Sequence, residues 1–351
     1  MRTVSVDFKV FLSGILVLSL LAGCNRTIAN ELSTSQNLLR QRREERQQLF
    51  QQLRQQLRSE ARPGEDALAL NPNFVSLKLT HQGRIRDYLL YTPVSYDKTR
   101  PYPVVIGFHG GTSTNARFAR TTNFQQLADE KQFLVIYPNA VNKNWNDGRG
   151  TVNQDIDDVG FVTAIIEEIK RLRNVDAHRI YATGISNGAF LVQRLACERS
   201  DLIAAFSSIA GAMPTLIRAN CNPARPVSMM MINSPDDRFV PWEGGEGRRG
   251  KGGNIMSIMD TLNFWRMRNS CTASFQKTLI AEIPGDKTRV SVINFNNCKS
   301  NSEVVLYKIN GGGHTWPGGE AQPAWLLGPT SKQINATRLS FDFFQRHSLH
   351  R

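Results

Sequence analysis

An α/β fold, with a mostly parallel sheet covered by helices on both faces, is what this sequence predicts, and three observations predict it. Short apolar runs alternate with amphipathic helical stretches along most of the chain. One run, Arg179-Ile180-Tyr181-Ala182-Thr183, passes through Gly184-Ile185-Ser186-Asn187-Gly188 directly into the helix-like Ala189-Phe190-Leu191-Val192-Gln193-Arg194-Leu195. With 351 residues and 40% hydrophobic content, the chain can also bury one large core.

The elements follow in order. Residues 74–80 and 84–91 read as two opening strands, and 103–108 as a continuous apolar strand of the kind buried on both faces. A helix over 123–131 and a strand over 133–137 come next. Residues 139–153, rich in Asn, Asp and Gly, form a loop long for such a connection, which favours a functional role. A helix over 159–173 precedes the Ser186 segment. Further on, 227–232 and 304–309 are strand-like apolar runs, each ending in a turn.

The Ser186 segment has the form of a nucleophile elbow. A buried strand that feeds a helix through so tight a turn strains the turn residue, and the flanking glycines let strand and helix approach. Ser186 then projects at the carboxyl end of the sheet, with the first amides of the helix aimed at the same point. A serine hydroxyl needs a base, and the base needs an orienting acid. In folds with this elbow they follow in the order Ser, acid, His, which excludes His81, His109 and His178. His347 and His350 lie in the terminal tail. His314, in the glycine-rich loop Asn310-Gly311-Gly312-Gly313-His314-Thr315-Trp316 after a strand, is the candidate base. The acid belongs on the turn Asn233-Ser234-Pro235-Asp236-Asp237-Arg238; Asp237 is the candidate, and Asp236 the alternative, one of the two simply capping the turn. For the oxyanion, the amide of Asn187 supplies one donor. The strand ending His109-Gly110-Gly111-Thr112 supplies the second near Gly111 or Thr112.

Together, His109-Gly110-Gly111, Asp157-Asp158-Val159-Gly160-Phe161, the elbow, the acid turn followed by Val240-Pro241-Trp242 and Gly244-Gly245, and Gly311-Gly312-Gly313-His314-Thr315-Trp316-Pro317-Gly318-Gly319 resemble the secreted polyhydroxybutyrate depolymerase and feruloyl esterase-like α/β-hydrolases of carbohydrate esterase family one. The resemblance runs from about Phe74 to about His347. It implies an α/β-hydrolase fold, Ser186 as nucleophile, His314 as base, Asp237 as orienting acid, and no cofactor. The expected activity is serine-dependent hydrolysis of carboxylic esters in a polymer or oligomer, of polyhydroxyalkanoate or feruloyl and acetyl polysaccharide type. The rivals are a peptidase on the same fold and a non-catalytic cell-surface binding lipoprotein.

The first residues carry Arg2 and Lys9 before an apolar run from Val10 to Leu20, so residues 1–23 read as a signal peptide. The run is short for a membrane span. It ends in Leu21-Ala22-Gly23-Cys24, which resembles a bacterial lipobox, so a lipid-anchored Cys24 is expected on the periplasmic or cell-surface side. Residues 24–73 then form a helical arm, dense in Gln, Arg and Glu with a short apolar stripe, and 74–351 the catalytic domain. Export makes the four remaining cysteines a disulfide set. Of three connectivities, nearness in sequence and the resemblance favour Cys197–Cys221 and Cys271–Cys298. No C-x-x-C spacing points to a metal site. The net charge of +13 suits anionic lipid or cell-wall polymer, and no recognition motif organises it for nucleic acid. Trp145, Trp242 and Trp316 are candidate walls of a substrate pocket.

Overall fold

The computed structural model describes Arg40, Gln41, Glu44 and residues 71–247, 253–272, 276–279 and 283–349. The chain divides into two compact units, Met1–Pro63 and Gly64–Arg351. In the first, Arg40 and Glu44 form an exposed pair one helical turn apart. The expected signal peptide and Cys24 lie outside the described residues, as does most of the arm.

In the second unit the strands are β1 (Phe74–His81), β2 (Arg84–Tyr91), β3 (Tyr102–Phe108), β4 (Leu134–Pro138), β5 (Val175–Ile185), β6 (Ala205–Ile209), β7 (Ser228–Asn233), β8 (Gly245–Glu246), β9 (Asn254–Ile255), β10 (Gln276–Leu279), β11 (Arg289–Phe295) and β12 (Val304–Asn310). The helices are α1 (Asn115–Thr122), α2 (Phe124–Lys131), α3 (Asp158–Leu172), α4 (Asn187–Glu198), α5 (Thr215–Arg218), α6 (Ile258–Arg268), α7 (Ala324–Leu327) and α8 (Ala336–Phe344). Ten strands form one sheet in the order β1-β2-β4-β3-β5-β6-β7-β12-β11-β10. The pairs from β4 through β12 are parallel, and the pairs at both ends of the sheet are antiparallel. This is the α/β-hydrolase arrangement, with the antiparallel entry that the opening strands lead one to expect.

The period of two along each strand builds two cores. Val104, Ile106, Phe108, Met229, Met231 and Leu306 face one layer, packed by α3, α4 and α6. Val105, Val135, Tyr181, Met230, Ile232 and Val305 face the other, packed by α1, α2 and α8. Burial on both faces is why these strands read as unbroken apolar runs. Helix α3 starts where Asp157 accepts from the Gly160 N–H, and it buries Phe161, Val162, Ile165, Ile166 and Ile169 at helical spacing. The predicted helix start at residue 123 is corrected: Asn123 is left-handed and separates α2 from the equally long, more polar α1. Both expected disulfides are present, Cys197–Cys221 and Cys271–Cys298. In the chain-entropy model, closing loops of this length stabilises by about 3.5 kcal/mol each.

Because β3, β5, β6, β7 and β12 run parallel, their carboxyl ends share one edge of the sheet. Ser186 follows β5, the acid turn follows β7 and the His314 loop follows β12. Topology alone therefore brings these segments of distant sequence to one place.

Candidate active site

Ser186 has φ 57° and ψ −121°, a conformation that L-residues avoid and that the surrounding structure must hold. Its N–H continues the sheet ladder to the Ile209 carbonyl at 3.0 Å, and its carbonyl accepts the Phe190 N–H at 3.0 Å as the first bond of α4. One residue thus ends a strand and caps a helix. The glycines make the turn possible through space rather than through φ. A Cβ on Gly188 would lie 2.3 Å from the Phe108 carbonyl oxygen, and one on Gly184 would lie 2.7 Å from the Gly188 backbone.

His314 Nδ1 lies 2.8 Å from Asp237 Oδ2, and both side chains are buried. Asp237 spends its other oxygen on its own turn, accepting from Phe239 N–H at 2.7 Å and Val240 N–H at 3.0 Å. The Phe239 ring stacks on the His314 imidazole with centroids 4.8 Å apart, and the His314 N–H is bonded to the Leu327 carbonyl. Neighbouring Asp236 does not merely cap its turn, which corrects that expectation. Its Oδ2 accepts the Gly311 N–H at 2.6 Å, and Ser234 Oγ donates to the Gly312 carbonyl at 2.8 Å. Asp236 and Ser234 therefore fasten the acid turn to the histidine loop, while Asp237 holds the imidazole.

The His109-Gly110-Gly111 segment lies against the elbow. A Cβ on Gly110 would sit 3.5 Å from Ser186 Cβ, and one on Gly111 would sit 3.6 Å from Asn187 Cβ. The N–H of Thr112 is committed to the Lys143 carbonyl at 2.8 Å, so of the two positions considered for the second oxyanion donor Gly111 is the one that remains. His109 is fully buried. Its Nε2 accepts from the Ala140 N–H at 3.2 Å, which places the proton on Nδ1, donated to the Gly110 carbonyl at 2.8 Å. Burial holds its pKa down at about 4, so this histidine is a neutral structural bridge.

Two of the three tryptophans are corrected as pocket walls. Trp145 is fully buried, donating Nε1–H to the His109 carbonyl at 2.9 Å and packing edge-on against Phe108. Trp316 is buried in the other core against Phe118 and Phe124, with its Nε1–H given to Thr337 Oγ1. Both bring apolar area to the core where a substrate cannot reach. Trp242 is half-buried, with Lys308 Nζ 5.1 Å above its ring, and stays a candidate rim residue.

The loop between β4 and α3, singled out for its length, is fastened throughout. Asn146 N–H donates to Asp158 Oδ2 at 2.6 Å, and Asp158 is paired in the core with Arg86 at 2.7 Å. Burial pushes the Asp158 carboxyl up, against the pull of that guanidinium. Within this loop Asp147 and Arg149 carry interactions with the elbow that spacing in the sequence did not signal.

Residues 86–220 match the family model described as Esterase PHB depolymerase. NocK from Nocardia uniformis subsp. tsuyamanensis, provisionally named an esterase, is 26% identical over 299 residues, 81% of this chain and 85% of that protein. Feruloyl esterase B from Piromyces equi is 26% identical over 248 residues, 68% of this chain but 44% of that one. Among solved structures, acetyl xylan esterase from Aspergillus awamori shares the fold with a TM-score of 0.51 and 12% identity, over 78% of this chain and 99% of its own. The family match contains Ser186, Asn187 and Gly111 and stops before Asp237 and His314, whose pairing comes from the strand order and the 2.8 Å contact. The stretch similar to the Esterase PHB depolymerase model thus runs from within β2 to just past α5, on a sheet with the α/β-hydrolase order.

Proposed function

We propose that the chain is an exported serine esterase that cleaves carboxylic esters through an acyl-enzyme on Ser186. One observation carries the reading: a buried His314–Asp237 couple at 2.8 Å stands at the sheet edge where β5 ends in a strained Ser186. Asp237 fixes the proton on His314 Nδ1, which leaves Nε2 as the base. Ser186 Oγ loses its proton to Nε2 as it attacks the ester carbonyl. The amides of Asn187 and Gly111 hold the oxyanion that develops. The imidazolium then protonates the leaving alcohol, and a water activated by the same nitrogen releases the acid.

The relatives named as feruloyl esterases and the acetyl xylan esterase neighbour favour feruloyl or acetyl esters of polysaccharide, and the family model favours polyhydroxyalkanoate. Purified protein assayed on hydroxyalkanoate oligomers, feruloyl and acetyl sugar esters and the matching amides separates these. Activity on one ester class with none on amides is expected, and amide cleavage at comparable rate would make the chain a peptidase. Attachment to the membrane through Cys24 belongs to the same proposal, supported by the lipobox-like Leu21-Ala22-Gly23-Cys24. Cys24→Ser then moves the protein to the soluble fraction with its specific activity unchanged; persistence in the membrane fraction would assign the anchoring to another element.

A further inference from the structure

Asn187 is the residue after the nucleophile, and its side chain is as tightly engaged as its backbone. Its Oδ1 accepts the Trp145 N–H at 2.7 Å, and its Nδ2 donates to the Trp145 carbonyl at 3.1 Å, so the amide pairs with both polar groups of one backbone residue. The same Nδ2 donates to Asp147 Oδ2 at 2.6 Å. Asp147 is 1% exposed, and Asn187 is 4% exposed. The carboxylate is balanced by Arg149, which reaches Oδ2 through Nε at 2.9 Å and Nη2 at 2.8 Å and gives its own N–H to Oδ1 at 3.1 Å. The Arg149 guanidinium in turn lies 4.5 Å from the centroid of Phe190, on the first turn of α4.

We infer that Asp147 is a positioning residue for the oxyanion hole, acting through the side chain of Asn187. An ion pair with Arg149 would satisfy Asp147 as a structural element. The additional short, charge-assisted bond to Asn187 instead directs the pair at the residue whose N–H faces the developing charge. Both oxyanion donors depend on this loop, since Lys143 holds the Thr112 N–H beside Gly111 while Trp145 and Asp147 hold Asn187. Preorganised donors act through their placement, and a displacement of about 1 Å costs about a hundredfold in rate. Asp147 touches neither the nucleophile nor the base, so its effect must pass through Asn187.

The inference rests on the serine-esterase reading, and a double-mutant cycle on the full chain tests it with a short p-nitrophenyl ester and a boronic acid that forms a tetrahedral adduct on the serine. D147A is expected to lower kcat about 10- to 100-fold with KM changed less than about threefold, and to weaken boronate binding by a similar factor. D147N keeps an acceptor for Nδ2 and should lose only severalfold. Neither substitution should lower kcat further in the N187A background, because Asp147 acts through that side chain. Where D147A does not accumulate as folded protein, D147N carries the cycle. Unchanged kcat in the Asp147 variants, or a loss that persists in full in the N187A background, overturns the assignment while an active wild type preserves the esterase reading. A wild type without ester hydrolysis, or S186A with undiminished hydrolysis, overturns both.

Discussion

Asp236 and Asp237 stand side by side and differ in what they hold. Asp237 fixes the tautomer of His314 and would stabilise the imidazolium, so Asp237→Asn should lower turnover about ten-thousandfold, roughly 5 kcal/mol. Asp236 accepts one backbone N–H from Gly311, a bond the amide oxygen of Asn can also accept, so Asp236→Asn should cost less than about tenfold. Steady-state kinetics of the two variants decide it, and the reverse order would move the acid by one residue. Ser186, His314 and this pair were legible in the sequence because each sits in a turn after an apolar strand and the order of roles is fixed. Asp147 was not, since a carboxylate in a polar loop carries no periodic signal and its partner Asn187 is forty residues away. Trp145 and Trp316 misled for a related reason: composition marks an aromatic residue near a motif but does not say which side of the backbone is buried.

At the scale of elements, the elbow works because β5, α4 and the end of β3 meet with no room for a side chain. Gly188→Ala places a Cβ 2.3 Å from one backbone carbonyl oxygen and 2.6 Å from a second, that of His109, neither of which can yield as a flexible side chain would. We expect a loss on the order of 3 kcal/mol in stability with collapse of activity, measured by urea denaturation and ester hydrolysis. Wild-type stability in this variant would contradict the packing described. Strand β3 was predicted to within a residue, because burial on both faces leaves a plain apolar run, whereas β5 begins before the run 179–183 and ends after it, extending over Val175–Ile185. Strand β6, with Ser207 and Ser208 among its five residues, and helix α1, with two arginines and three threonine or asparagine side chains in eight residues, have no such run and take their form from the elements around them. The antiparallel pair β10–β11 extends the sheet beyond what the motifs demanded.

For the whole molecule, one buried histidine couples acidity to stability. Folded His109 protonates only near pH 4, whereas an unfolded chain protonates it near its ordinary value of 6.5. Between those values the unfolded state binds the extra proton, so stability falls as pH falls from 6.5 toward 4 and is untouched by this group at higher pH. The full effect is on the order of 3 kcal/mol. His109→Gln should flatten that part of the stability curve in urea titrations at about pH 7, 5.5 and 4.5, values that run from above the transition into it; an unchanged slope would show that His109 is not held neutral. The arrangement suits a protein whose sheet edge must stay rigid, since His109 ties the strand β3 exit to Ala140 in the loop that fixes Asn187. Strand order thus brings to one edge of the sheet the candidate nucleophile, base and oxyanion donors, between two cores that cover its faces. The central claim is that Ser186 is the nucleophile, and labelling tests it most directly. The protein is treated with a fluorophosphonate and its peptides are mapped by mass spectrometry. One adduct on Ser186, formed in step with loss of ester hydrolysis and absent from both S186A and H314A, is the predicted result; full hydrolysis by S186A, or inactivating label on another residue, would contradict it.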